Sequence, residues 1–133
     1  MTHEILLKRI YEPHEEQDGY RVLVDRLWPR GIKKEAAHLD EWAKEITPST
    51  EIRKLYHQGE MPFEGFSQAY IEELDGNKVA EEFVGKCQTL LKSQNLTLVF
   101  AAKNEQENHA MVLREWLKRQ LRKNINERDR CMA

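Results

Sequence analysis

Arg21-Val22-Leu23-Val24-Asp25-Arg26-Leu27-Trp28-Pro29-Arg30-Gly31 carries the reading of this chain. Its front half is a dense run of β-branched and aliphatic residues, the pattern of a strand covered on both faces. A strand is therefore expected over 21–27, entered through the turn pair Asp18-Gly19. Its back half runs directly into an acid, two arginines, a tryptophan and a Pro-Arg-Gly turn. Pro29 pushes Trp28 toward extended backbone. Gly31 is free to take a positive φ and reverse the chain.

Two further apolar runs read as strands. One covers 5–10, and the other covers 96–101 through Thr97-Leu98-Val99-Phe100. Most of the remainder has helical spacing. Leu39, Trp42, Ala43 and Ile46 fit one helix, and Ser49 or Thr50 can cap a second that runs toward Gly59. Phe63, Phe66, Tyr70 and Leu74 form an apolar stripe, as do Val79, Phe83, Cys87 and Leu90. The last helix presents Leu113, Trp116, Leu117 and Leu121, with Asn104 as the expected N-cap and Glu107 three residues on. Together these elements imply an α/β fold: a small, mainly parallel sheet of three or more strands, with helices packed on both faces. The long helical insert before the third strand permits a parallel crossover. The short link between the first two strands fits either a crossover or a wide hairpin.

A length of 133 residues suits one domain over 1–133, with about 124–133 as a polar C-terminal tail. With 40% hydrophobic and 33% charged residues the composition is that of a folded globular chain. No apolar run reaches the ~20 residues of a membrane helix. Met1-Thr2-His3-Glu4 has no basic segment leading into an apolar one, so no signal peptide and no membrane association are expected. Cys87 falls in a helical stripe and Cys131 in the polar tail. Neither has CxxC or metal-ligand spacing, so no metal or cofactor is expected, and a reducing cytoplasm fits.

The net charge of −2 conceals segregation. Arg21, Arg26, Arg30, Lys33 and Lys34 form one basic segment, and Arg114, Lys118, Arg119, Arg122 and Lys123 a second. Such a balance disfavours a general nucleic-acid coat and allows a local anion site.

Ligands of open α/β sheets bind beyond the carboxyl ends of the strands, and the segment after Val24 lies at such an end. Arg26 and Arg30 can offer forked donors to a phosphate or carboxylate, Trp28 a stacking face, and Asp25 a partner that orients the arginines. An equally open reading is structural. Asp25 and Arg26 can serve an ion-pair network with Arg9 or Arg21, and Trp28 can plug the core. The exit of the third strand offers Lys103, Asn108 and His109 near a helix N-terminus, where anions are favoured. His109 has acid–base chemistry but no partner assigned by spacing. His57 and the Glu72-Glu73 pair read as a helix-end and a solvated-face feature. Walker, GxGxxG, GxSxG and HExxH motifs are missing.

The chain resembles the YeaO-like proteins, small bacterial proteins of unknown function. The segments that carry the resemblance are Lys8-Arg9-Ile10-Tyr11, the whole of 18–31, Trp42-Ala43-Lys44, Thr47-Pro48-Ser49, Ile52-Arg53, Phe66 with Tyr70, Glu73-Leu74 and Asn108-His109-Ala110. The family in turn resembles a branch of a larger uncharacterised α/β group. That group carries Asp-x-Arg-x-x-Pro after a strand, a strand ending in cysteine, and then Cys-His-Arg. Here Asp25 and Pro29 match, the arginine comes one position early as Arg26, Ala101 replaces the first cysteine, and the triplet reads Asn108-His109-Ala110. The resemblance thus implies that any thiol chemistry of the larger group is lost here and that only the histidine is kept.

The expected activity is binding of an anionic or nucleotide-like small ligand at the strand ends, through Asp25, Arg26, Trp28, Arg30, Gly31, Lys103, Asn108 and His109. Whether the chain is an enzyme stays open, with His109 the one candidate for catalysis. The alternative is a nucleic-acid-binding or regulatory module. It requires Arg114, Lys118 and Arg122 to face solvent as one stripe of the last helix. Sequence does not fix the oligomeric state.

Overall fold

β4 (Leu96–Phe100) lies at the centre of the molecule, and all five of its residues are buried. The computed structural model describes residues 3–132, with side chains as far as Lys123. β4 is flanked by β1 (Ile5–Arg9) and β2 (Tyr20–Leu23), and β3 (Glu41–Trp42) completes a four-stranded sheet of order β1-β4-β2-β3. All neighbours pair in parallel, with Ile5 opposite Leu96, Tyr20 also opposite Leu96, and Val22 opposite Glu41. Because β1 and β2 both run parallel to β4, the short link between them is a crossover. It passes over β4, where the hydroxyl of Thr97 donates to the carbonyl of Asp18 at 2.7 Å. The link ends at Gly19, whose φ is +66°, and a Cβ there would meet the Asn95 carbonyl oxygen at 2.1 Å. Glycine is required on both counts.

Alternation along the strands divides the sheet into two faces. Ile5, Val22, Val24, Leu96, Leu98 and Phe100 enter the larger core. Above them lie α2 (Thr50–His57), α3 (Phe63–Asp75), α4 (Lys78–Leu90) and α5 (His109–Met132). These helices contribute Ile52, Phe66, Tyr70, Leu74, Phe83, Cys87, Leu113, Trp116, Leu117 and Leu121. Val99 and Ile10 face the other way, into a smaller cluster with Ala37 of the four-residue α1 (Lys34–Ala37) and with Trp28, Ile32 and Leu39. Helices thus pack on both faces, but the second layer is thin and built largely of loop.

The second strand ends at Leu23, short of the expected Leu27, and other expectations also need correction. Leu39 to Ile46 is not a helix. Its backbone pairs with β2, through Asp40 N–H to Arg21 O (2.8 Å) and Ala43 N–H to Leu23 O (2.9 Å), and a 3-10 turn follows at Lys44–Ile46. Leu39 packs into the smaller cluster while Ala43 and Ile46 enter the larger one, so their helical spacing is that of a segment crossing the sheet edge. Val79 is 44% exposed, and Ala80 and Val84 take the inward positions of α4 instead. The backbone of 124–132 continues α5, where a tail was expected, and the side chain of Cys131 lies outside the described residues.

A buried ionic cluster clamps the crossover. Arg21, 2% exposed, donates to Asp18 Oδ2 (2.6 Å), to the Ala37 carbonyl (3.1 Å) and to the His38 carbonyl (3.1 Å), and so satisfies the end of α1. Lys8 Nζ reaches both oxygens of Asp18 at 2.9 and 3.1 Å. Burial alone would raise the Asp18 carboxyl. The hydrogen bonds from Lys8, the Glu15 amide and Arg21 outweigh it and hold the group below the ordinary aspartate value. A depressed folded-state pKa contributes stability above the unfolded value, which is lost as pH falls through the folded value. Asp18→Asn is therefore expected to cost about 3 kcal/mol at pH 7, since it leaves Arg21 buried without its counter-charge. Urea denaturation should show that cost shrinking toward acid pH. A pH-independent cost would mean that the carboxylate charge is not what holds the crossover.

Candidate functional site

The carboxyl ends of β2 and β4 are adjacent; the chain after β2 contributes to the smaller cluster and α5 after β4 to the larger core, so the two exits serve opposite faces. Asp25 bridges the gap. Its Oδ2 accepts from the Ala101 N–H at 2.9 Å, and its carbonyl accepts from Trp42 Nε1 at 2.7 Å. His109, the first residue of α5, places Nε2 2.7 Å from the Val24 carbonyl and 3.0 Å from Asp25 Oδ1. A carbonyl can only accept, so Nε2 carries its hydrogen toward Val24. Nε2 has one hydrogen in either ring form. Asp25 Oδ1 is therefore buried without a hydrogen bond of its own and gains a charge contact when the ring is protonated. His109 Nδ1 has no partner among the described residues, which leaves it as the free nitrogen.

The turn between β4 and α5 is held by the protein itself. Arg9 donates to the carbonyls of Ala102 (2.9 Å) and Ala101 (3.2 Å). Asn104 Oδ1 accepts from the amides of Gln106 and Glu107, both at 2.9 Å, which makes it a turn residue and not the helix cap. The cap is Asn108, whose Oδ1 accepts from Met111 N–H at 2.9 Å. Asn108 is 3% exposed and donates back to the Asn104 carbonyl at 2.8 Å. The helix starts later than expected because the intervening residues, 104–107, close an Asx turn first.

These elements enclose a cavity of about 400 Å³. Asp25, Arg26, Trp28, Asn108 and His109 all line it, so the two stretches singled out in the sequence do converge. Arg30, Gly31 and Lys103 are exposed and do not line it. The Arg30 carbonyl accepts from Tyr11 Oη at 3.1 Å, and Gly31 has the expected positive φ of 76°. Trp28 has the packing role considered for it and also borders the cavity. Its Nε1 donates to the Ile32 carbonyl at 2.7 Å, and it packs edge-on against Trp42 and into the smaller core. Among the described residues Asp25 pairs with no arginine: Arg21 is taken by Asp18 and Arg9 by carbonyls.

The opposite wall comes from α2 and had no strong signal in the sequence. Arg53, Tyr56 and His57 line the cavity, with Glu107 at its rim. Tyr56 stacks on Phe66 at a centroid distance of 4.7 Å. Burial, and next the Glu107 carboxylate, push its hydroxyl above the ordinary tyrosine value. Helical spacing alone places Arg53, Tyr56 and His57 on one side of α2. What sequence reading lacked was the direction in which that side turns.

Residues 4–132 match the family described as the inactive DUF488-N3 subclade. The chain belongs to that family. Among its relatives, the uncharacterized protein YeaO of Escherichia coli K12 is 49% identical over 119 residues, covering 86% of this chain and 96% of YeaO. The uncharacterized proteins Mb3100c of Mycobacterium bovis and Rv3073c of Mycobacterium tuberculosis H37Rv are each 35% identical over 113 residues, covering 85% of this chain and 92% of theirs. No solved structure matches. The YeaO-like resemblance read from the sequence is thereby established.

In this DUF488-N3 chain no thiol of the described residues reaches the cavity. Ala101 presents a methyl group there, and Cys87 is fully buried in the helical layer. Burial, helped by the Glu41 charge, pushes the Cys87 thiol up to about 12. In a Cys131→Ser protein, Cys87 is expected to react with a thiol reagent at pH 8 only as fast as the chain unfolds. Rapid modification with the circular dichroism unchanged would contradict its place in the core.

Proposed function

We propose that the cavity at the carboxyl ends of β2 and β4 binds a small anionic ligand of nucleotide-like size. The carrying observation is the state of its two arginines. Arginines that serve the fold here spend their donors on protein acceptors, as Arg21 and Arg9 do. Arg26 spends a single donor, on the Pro48 carbonyl at 3.2 Å. The Arg53 side chain makes no hydrogen bond among the described residues, and neither arginine forms an ion pair with any of them. Arg53 is half-buried, where a guanidinium without a counter-charge is costly unless it serves a ligand, and Arg26 is exposed beside it. Two arginines lining one concavity match the forked recognition of phosphate or carboxylate. His109 Nδ1 adds a third polar contact, and Tyr56 and Trp28 supply aromatic walls. The volume falls within the roughly 300–1,000 Å³ of small-molecule sites.

A binding role is favoured over a thiol reaction by the residues that replace cysteine, Ala101 and Asn108, and by the family's description as inactive. His109 remains the acid–base candidate read from the sequence, and His57 lines the same cavity. The nucleic-acid reading has less support. It needs an open stripe on α5, yet the Arg114 side chain is 27% exposed with its Nε buried, and Glu115 lies 3.9 Å from Arg114 Nε and 3.8 Å from Lys118 Nζ. A cytoplasmic setting belongs to the same proposal. Among the described residues no helix is long and apolar enough to cross a membrane.

A thermal-shift screen of nucleotides and anionic metabolites, followed by calorimetry of the hits, tests the reading. Arg53→Ala and Arg26→Ala are each expected to weaken the best hit by roughly tenfold or more, the worth of one charge-assisted hydrogen bond of about 1.5–3 kcal/mol. Affinities that survive both substitutions would remove the cavity from consideration.

A further inference from the structure

We infer that the ligand carries a second anionic group, seated outside the cavity against α2, so that its class is that of diphosphates and other molecules with two linked anions. This rests on the reading of the cavity as an anion site. A second, shallower concavity of about 310 Å³ adjoins the first and shares Arg53 and His57 with it; Thr50, Lys54 and Gln58 complete its lining. Those five residues include three basic side chains, two neutral hydrogen-bonding ones and no carboxylate. None of Arg53, Lys54 and His57 forms an ion pair among the described residues.

Their spacing makes the cluster informative. Arg53 and His57 are four residues apart and Thr50 and Arg53 three, so they stand along one ridge of α2. Elsewhere Lys86 meets Glu41, and Lys8 meets Glu15. On this ridge no acid intervenes. Arg53 lines both concavities. A planar fork with donors on two edges can hold one anionic group on each side. A ligand with a single anion would use Arg26 and Arg53 and leave Lys54 without a role.

Calorimetry with inorganic phosphate and with pyrophosphate, on the wild type and on Lys54→Ala, tests this. Lys54 is exposed, so its replacement is not expected to disturb folding. Pyrophosphate should bind the wild type at least tenfold more tightly than phosphate. Lys54→Ala should weaken pyrophosphate by roughly fivefold and phosphate by less than twofold, in keeping with one solvent-exposed charge contact. Equal affinities for the two probes in the wild type, with no response to Lys54→Ala, would overturn the second subsite and leave the cavity reading intact. Failure of both probes to bind the wild type more tightly than the double variant Arg26→Ala/Arg53→Ala would overturn both. A short oligothymidylate supplies linked phosphates from another source. If it bound more tightly than pyrophosphate and lost that advantage in Lys54→Ala, the small-molecule form of the inference would fall in favour of a strand.

Discussion

Asp25 holds three parts of the molecule that nothing else joins at one point. Its carboxylate receives the Ala101 amide at the exit of β4, and its carbonyl receives the Trp42 indole from β3. The remaining oxygen lies against the first residue of α5, whose imidazole donates to the carbonyl just before Asp25. A short aspartate at the end of a buried strand thus fixes where β4 turns and where the last helix begins. That helix carries Leu113, Trp116, Leu117 and Leu121 into the core. The cavity floor is a consequence of this bond set. It is the surface left where β2 and β4 end and α5 starts, closed on the far side by α2.

Two arginines are spent on the fold. Arg21 is buried and saturated by Asp18 and two carbonyls, and Arg9 pins the turn after β4. Both are far costlier to strip of partners than to leave alone. Arg26 and Arg53 are different. They stand at the mouth of one concavity with donors to spare, beside a histidine whose second nitrogen is free. Electrostatics that are incomplete within the protein, next to electrostatics that are fully satisfied, argue for an external anion more strongly than the count of basic residues does.

The strands were legible because continuous apolar runs such as Val22-Leu23-Val24 and Leu96 to Phe100 have no other stable home than a sheet covered on both faces. The convergence of the Asp25 and His109 stretches followed from the rule that parallel strands end together. Two kinds of information were not legible. The stretch from Leu39 to Ile46 has helical spacing, but it belongs to a segment that crosses the sheet edge, and only its pairing with β2 reveals this. Arg53, Tyr56 and His57 fall on a short helix whose inward side depends on the packing of Tyr56 on Phe66, a tertiary fact. Asn104 and Asn108 both satisfy the local chemistry of a cap. Asn108 is the cap, and His109, the first residue of the helix after it, reaches the Val24 carbonyl.

Side-chain nitrogen spectra of arginine- and histidine-labelled protein, recorded through a titration with inorganic phosphate, address the central claim at the level of single groups. The account predicts that the resonances of Arg26, Arg53 and His109 move together along one saturating curve, while those of Arg21 and Arg114 stay in place. Perturbations confined to Arg114, Arg119 and Arg122 on α5, with Arg26 and Arg53 unmoved, would contradict it and place the anion-binding surface on the basic helix.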